Sequence, residues 1–274
     1  IWLFGNQAIT RNQTKKQAIS SCRFDHSGIF TLRSKDSWCF VHAESIKDRP
    51  AHADALHMDF WWRGINICGD AGTYLYYGHH PWLDAFKHTR FHNTITIDQK
   101  DQMERMHRFT WGYWHDCQLN SYIPNKNIQS FEVEHYGYHR LKAAATHRRA
   151  ILCTNNDFWL VIDDIFGAEE HEVQLNWSLA DFPIQKAQNR LRMRTPEGNL
   201  TIGIYGQFDD FDLIKGAESG GVGSWKSDFY GYKKPCIRLS VSQEEKLPMR
   251  FISCIGAEDW LLEQEVGMKN LSLK

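Results

Sequence analysis

The chain has 274 residues, 42% of them hydrophobic, enough to bury a sizeable core in one large domain or two smaller ones. A formal net charge of −1 excludes the global positive field that gathers nucleic acid or anionic membranes. No apolar run approaches the roughly 18 residues of a spanning helix, so no membrane partner is expected.

The opening "IWLFGNQAITRNQTKKQAIS" has no initiator Met and lacks the ordered charged, apolar and cleavage regions of a signal peptide. Residues 1–20 read as an N-terminal remnant or linker, and 21–274 as one folded domain. "GIFTLR" (28–33), "WCFVHA" (38–43), "ALHMDFWW" (55–62), "INICGD" (65–70) and "NTITID" (93–98) then read as short strands. "PWLDAFKHTRF" (81–91) predicts a short helical turn between the last two. Further strands follow in "SFEVEH" (130–135), "RRAILC" (148–153), "FWLVIDDI" (158–165) and "EVQLNWSL" (172–179). The series closes with "LTIGIY" (200–205), "CIRLSV" (236–241) and "RFISCI" (250–255), before a second helical turn in "AEDWLLEQEV" (257–266). "GAESGGVGSWKS" (216–227) is Gly/Ser-rich and reads as a mobile loop. The segments are β-branched, aromatic-rich and often alternating, and turn residues separate them. This predicts an all-β fold: a large antiparallel β-sandwich with few short helices.

Seven cysteines are scattered among apolar residues without a CxxC pair. An odd number leaves one unpaired, and buried reduced thiols are the simpler reading, which leans towards a reducing, cytoplasmic compartment.

Chemistry concentrates in "AHADALHMDF" (51–60). If this stretch were a regular strand, His52, Asp54, Leu56 and Met58 would share one face, and His57 and Asp59 the other. Asp70 follows 18 residues after His52, and His92 a further 22 on, so one hairpin and one loop can bring the three together. Two imidazoles and a carboxylate suit Zn²⁺ with a fourth position open. From spacing alone the simpler reading is preferred: His52 on a loop carbonyl, Asp70 capping a turn through Gly72, and His92 on the surface.

The runs "RPAHADALHMDFWWRGINICGDAGTYLYY" and "HTRFHNTITIDQKDQM" resemble the C-terminal β-sandwich of the heparinase II/III-like polysaccharide lyases. So do "HYGYHRLKAAATHRRAIL", "FWLVIDDIFGAEEH" and "LNWSL", so that the resemblance spans nearly the whole chain. It implies a supersandwich that works beside an N-terminal (α/α) toroid, cleaving acidic, uronic-acid-containing polysaccharides by β-elimination. It also implies a Zn²⁺ cofactor with His52, Asp70 and His92 as ligands, and a periplasmic or cell-envelope location. Asp54 would accept a hydrogen bond from a ligating imidazole or pair with an Arg, and Asn93 would orient the His92 loop. The family's sandwich histidine sits two residues before the first ligand, and here that position is Pro50. Pro transfers no proton, which leaves His57 as the substitute catalytic candidate if a bulge re-aims it. With no toroid in this sequence, the sandwich alone is expected to be inactive.

Arg148 is a candidate for gripping sugar carboxylates, and Tyr74, Trp82 and Tyr230 for stacking on sugar rings. The adjacent carboxylates of "VIDDI" (161–165) face opposite ways and do not form a glycosidase pair. Two other readings stand beside the lyase: a non-catalytic carbohydrate-binding or structural sandwich, favoured by Pro50, and a cupin-like metal enzyme, for which the HxH pairing is missing.

Overall fold

The computed structural model describes residues 20–216 and 223–257. The expected remnant up to residue 19, the middle of the Gly/Ser-rich loop and all of the expected C-terminal turn beyond Ala257 lie outside them.

Two large antiparallel sheets face each other. The first runs through β1 (Cys22–Phe24), β2 (Ile29–Arg33), β3 (Ser37–His42), β4 (Met58–Trp62) and β5 (Ile65–Cys68). It continues with β13 (Glu170–Leu179), β20 (Ile237–Lys246) and β17 (Asp210–Lys215), while β6 (Ile95–Ile97) also pairs with β13. The second runs through β14 (Ile184–Ala187), β15 (Arg190–Thr195), β16 (Gly198–Tyr205) and β21 (Met249–Ala257). It ends with β12 (Trp159–Gly167), β11 (Ala145–Thr154), β10 (Ile128–His135) and β9 (Cys117–Pro124). Two hairpins stand apart: β7 (Glu104–His107) with β8 (Thr110–Gly112), and β18 (Trp225–Phe229) with β19 (Tyr232–Pro235). Helix is confined, among the described residues, to 3-10 turns such as Ala85–Lys87 and Thr89–Phe91, which fall inside the segment predicted to turn.

Alternation explains the packing. Along β11 every second residue from Ala145 to Cys153 is buried, and its register with β12 places Arg149 opposite Asp163. Trp62, Trp159 and Trp177 are fully buried between the sheets, and each such side chain contributes about 2–3 kcal/mol by leaving water. Two of them also join the layers through polar ends. Trp159 Nε1 donates to Ser37 Oγ at 2.8 Å, and Trp177 Nε1 to Ser253 Oγ at 3.1 Å. All seven cysteines are free and five are buried, as the sequence predicts.

The stretch expected as a loop over 216–227 gives way at Trp225 to strand β18, paired with β19, and a second element also departs from expectation. The strand expected over 55–62 begins only at Met58, and Leu56 has a φ of 58°. Besides backbone bonds between His42 and both Leu56 and His57, side chains from distant segments hold the preceding backbone. Gln102 exchanges two hydrogen bonds with Ala55 (2.7 and 2.9 Å), Thr94 Oγ1 donates to the Ala55 carbonyl (2.9 Å), and Thr89 Oγ1 to that of Ala53 (2.8 Å). The alternation assumed for His52 to His57 therefore does not apply.

Candidate metal centre

His52 lies on this irregular segment between β3 and β4, Asp70 just past β5, and His92 just past the second 3-10 turn. Their ligand atoms lie within 4.8 Å of one another. Zinc bonds of about 2.0–2.2 Å can bridge that spacing after small side-chain rotations. His92 is fully buried, so the surface placement that spacing alone favoured for it does not hold.

Asp70 serves two directions at once. Its Oδ1 accepts the Gly72 N–H at 2.6 Å, closing a tight turn, and its Oδ2 faces His92 Nδ1 at 2.7 Å. Gly72 is needed there: its φ is 76°, and a Cβ would sit 2.1 Å from the Ser227 carbonyl oxygen. The neighbouring Gly69 N–H donates to Ser178 on β13, which carries the turn on the sheet.

Electrostatics suit a cation. Burial, then the neighbouring His92, pushes the His52 pKa down to about 4, so its imidazole is neutral at pH 7. Burial opposes ionisation of Asp70, but His92, His57 and His52 outweigh it and hold the carboxyl well below the usual range. Burial also works against a charge on His92, and Asp70 overcomes it, raising the His92 pKa. A neutral imidazole, an ionised carboxylate and a second imidazole whose proton a metal can replace are the donor set a divalent ion requires.

The flanking residues take different places from those expected. His57 comes onto the triad instead of pointing away, its ring 5.5 Å from that of His92, because residues 50–57 are not a strand. Its Nδ1 accepts the Asn93 N–H at 2.9 Å, so Nε2 carries the hydrogen and lies 3.8 Å from both Asp59 and Asp70 carboxylates. At 1% exposure it lies behind Asp70, away from the surface. Asp54 does not reach a triad imidazole; it bonds His42 Nδ1 at 2.9 Å. Asn93 is a buried cross-brace, donating to the Met58 (2.9 Å) and Gly69 (3.3 Å) carbonyls and accepting from Ser178 N–H (2.6 Å). Pro50 is partly exposed on the loop leading to His52.

Arg148 faces away from the sheet interior and is taken up by Asp164 at 2.9 Å, which Arg250 also engages. Tyr74 and Trp82 are half-buried, their rings 6.1 and 6.2 Å from Phe86, and Lys233 Nζ sits 3.7 Å over Trp82. Tyr230 is exposed at the tip of the β18–β19 hairpin, 5.4 Å from the exposed ring of Tyr76. Tyr76 in turn meets Phe109 at 6.4 Å, with Lys87 Nζ 5.7 and 5.3 Å over the two rings. Lys87 is joined to the His52 segment, its carbonyl accepting the Ala53 N–H at 3.0 Å. Sequence reasoning named Tyr230 for ring stacking but missed its association with Phe109 and Lys87, because these come from separate loops. It also missed Arg149, although the inward phase of Ala145, His147 and Ile151 marks position 149 as buried.

Comparison with known proteins agrees with this architecture. Residues 17–250 match the family model described as heparinase II/III-like, C-terminal. A heparin-sulfate lyase of Bacteroides stercoris is 24% identical over 208 residues, covering 72% of this chain and 28% of the relative. The namesake of Pedobacter heparinus is 24% identical over 197 residues, covering 68% and 28%. The crystal structure of the heparan sulfate lyase HepC from Pedobacter heparinus superposes with a TM-score of 0.72 at 22% identity, covering 91% of this chain and 38% of that one, which shows a shared fold. The chain thus spans little more than a quarter of the curated relatives, and it belongs to the heparinase II/III-like C-terminal domain family.

Proposed function

We propose that this domain is the sandwich part of a polysaccharide lyase acting on uronic-acid-containing glycans by β-elimination, with His52, Asp70 and His92 holding a zinc ion. The observation that carries the reading is the convergence of those three side chains from three separate segments. The heparin-sulfate lyase names of the relatives support the acidic-polysaccharide class. Zinc, when bound, would supply a fixed positive charge that locks the loops at this end of the sandwich.

The chain's own groups orient those loops. His57 lies beside Asp70, Asn93 ties β4, the residue after β5 and β13 together, and Gly72 lets the Asp70 turn close. Elimination further needs a base for the proton beside the uronate carboxylate, an acid for the leaving oxygen, and donors for the developing enolate. Pro50 supplies none of these and His57 is buried, so we assign proton transfer to a helical toroid docked against this face. Tyr76, Phe109 and Tyr230 form the rim on which an acidic sugar would stack, with the buried Lys87 ammonium against Tyr76 and Phe109 adding a positive field behind it. Pro50 favours a second reading, a sandwich that binds glycan without chemistry.

Metal analysis tests the first element: close to one zinc equivalent in the purified protein, and none in His92→Ala. The second is tested by following unsaturated product by ultraviolet absorbance on heparan, alginate and hyaluronan. The sandwich alone should leave all three intact, and the same sandwich joined to its toroid should cleave one of them. No cleavage by the joined protein, with glycan binding retained, would favour the binding-module reading.

A further inference from the structure

Gln102 holds the Ala55 backbone and Arg149 the Leu56 carbonyl of the segment that carries His52, and a buried histidine stands against each of these grips. His147 Nε2 meets Asp163 Oδ1 at 2.7 Å, the oxygen that also takes Arg149 Nε. His135, the last residue of β10, has its Nε2 3.5 Å from Gln102 Nε2, while its Nδ1 accepts the Gly137 N–H at 3.2 Å. His115 completes the row, and all three rings are buried.

Two donors therefore point at the two ring nitrogens of His135. Gln102 cannot turn its amide round, because Oε1 accepts the Ala55 N–H and Nε2 donates to the Ala55 carbonyl. A neutral imidazole has one acceptor nitrogen and satisfies one of the two donors; a protonated ring has none and opposes both. The turn after His135 is in close contact with Gln102, since a Cβ on Gly137 would sit 2.7 Å from the Gln102 carbonyl oxygen. Nothing nearby welcomes a proton. Burial resists it first, and His147 and Arg149 on β11, His115 before β9 and His139 on the following turn all act in the same direction. The carboxylates of the region act on the other two rings, Asp163 and Asp164 on His147, Asp54 and Asp116 on His115.

We propose that His135 is a proton sensor for the segment carrying His52: on taking up a proton it drives off Gln102, and the Ala55 backbone that Gln102 holds comes free. The closed form excludes the proton and the opened form accepts it below about pH 6.5. The hold present above that pH is thus lost as pH falls, opening being favoured about tenfold more for each further pH unit. The device acts on the chain's own backbone and does not depend on zinc.

Hydrogen exchange at the Ala55 amide, followed by NMR on metal-free protein and converted to an opening constant, tests this between pH 6.5 and 5.5. The wild-type constant should rise about tenfold or more, and His135→Gln should remove about tenfold of that rise. His52 and His57 ride on the same segment and add their own protons in both proteins, so the difference reports His135. His135→Phe keeps a flat ring in place and serves if the glutamine variant does not fold. Equal pH slopes in wild type and variant, or a wild-type constant indifferent to pH, would overturn the proposal. So would an Ala55 amide that exchanges only as slowly as that of Val161 in the buried core of β12, because the segment would then open only with the whole fold.

Discussion

The buried guanidinium of Arg149 donates to the Asn93 carbonyl at 2.6 Å, the residue next to the triad's His92. A second bond, 2.7 Å to the Leu56 carbonyl, reaches the segment that carries His52. Arg149 stands on β11 of the opposite sheet, where Asp163 takes its Nε and Nη2 at 2.7 and 3.0 Å. One side chain therefore ties the segments that carry His52 and His92 to the far layer of the sandwich.

Arg149→Met should leave the buried Asp163 carboxylate with His147 alone and remove the guanidinium from the Leu56 and Asn93 carbonyls. We expect a loss of about 3–5 kcal/mol in urea unfolding, together with weaker zinc binding. A loss below about 1 kcal/mol would show that the loops hold their places without it.

Gly72→Ala forces a Cβ towards the Ser227 carbonyl at a φ of 76°, whereas Gly64, with a φ of 80°, has open space around it. Both substitutions carry backbone strain of about 1 kcal/mol or more. Only Gly72→Ala should also open the Asp70 turn and lower zinc affinity, by roughly tenfold or more, as measured by competition with a chelator. Equal zinc affinities in the two variants would count against the turn as the device that places Asp70.

Acid should weaken the fold in two stages. Burial depresses the pKa of His115, His135 and His147, whose rings stand 6.1 and 5.2 Å apart in sequence. The unfolded chain takes up these protons below about pH 6.5 while the folded one resists, so stability present above that pH declines as pH falls. Burial opposes ionisation of Asp163, but Arg149 and His147 hold its pKa down, and its contribution is lost below about pH 4. His42 and His92 run the other way: burial opposes their charge, Asp54 and Asp70 raise them, and their contribution fades as pH rises through their folded pKa. Urea midpoints between pH 7 and 5 should fall for the wild type and fall less for His135→Gln. An identical slope in that variant would remove the cluster from the account.

Tyr76→Ala and Lys87→Gln should each weaken binding of an acidic oligosaccharide by about 1 kcal/mol, roughly fivefold, in calorimetry. The Lys87→Gln loss should shrink as salt is raised. Binding that is unchanged in both variants would move the glycan site elsewhere.

Much of the fold was legible in the chain because its causes are local. Alternation marked β11 to β13, the turn residues marked their ends, and the apolar surroundings of the cysteines marked them as buried thiols. The triad was legible through resemblance, while its spacing alone pointed to isolated roles, since 18 and 22 residues of separation say nothing about convergence. Tertiary structure decided the rest. Residues 50–57 leave strand geometry because Gln102, Thr94, Thr89 and Arg149, all distant in sequence, hydrogen-bond their backbone. That irregularity turns His57 onto Asp70 and leaves Asp54 to His42. Periodicity describes a chain whose backbone pairs with neighbouring strands; where side chains from afar satisfy the backbone instead, the facing of each residue is set only by the assembled fold.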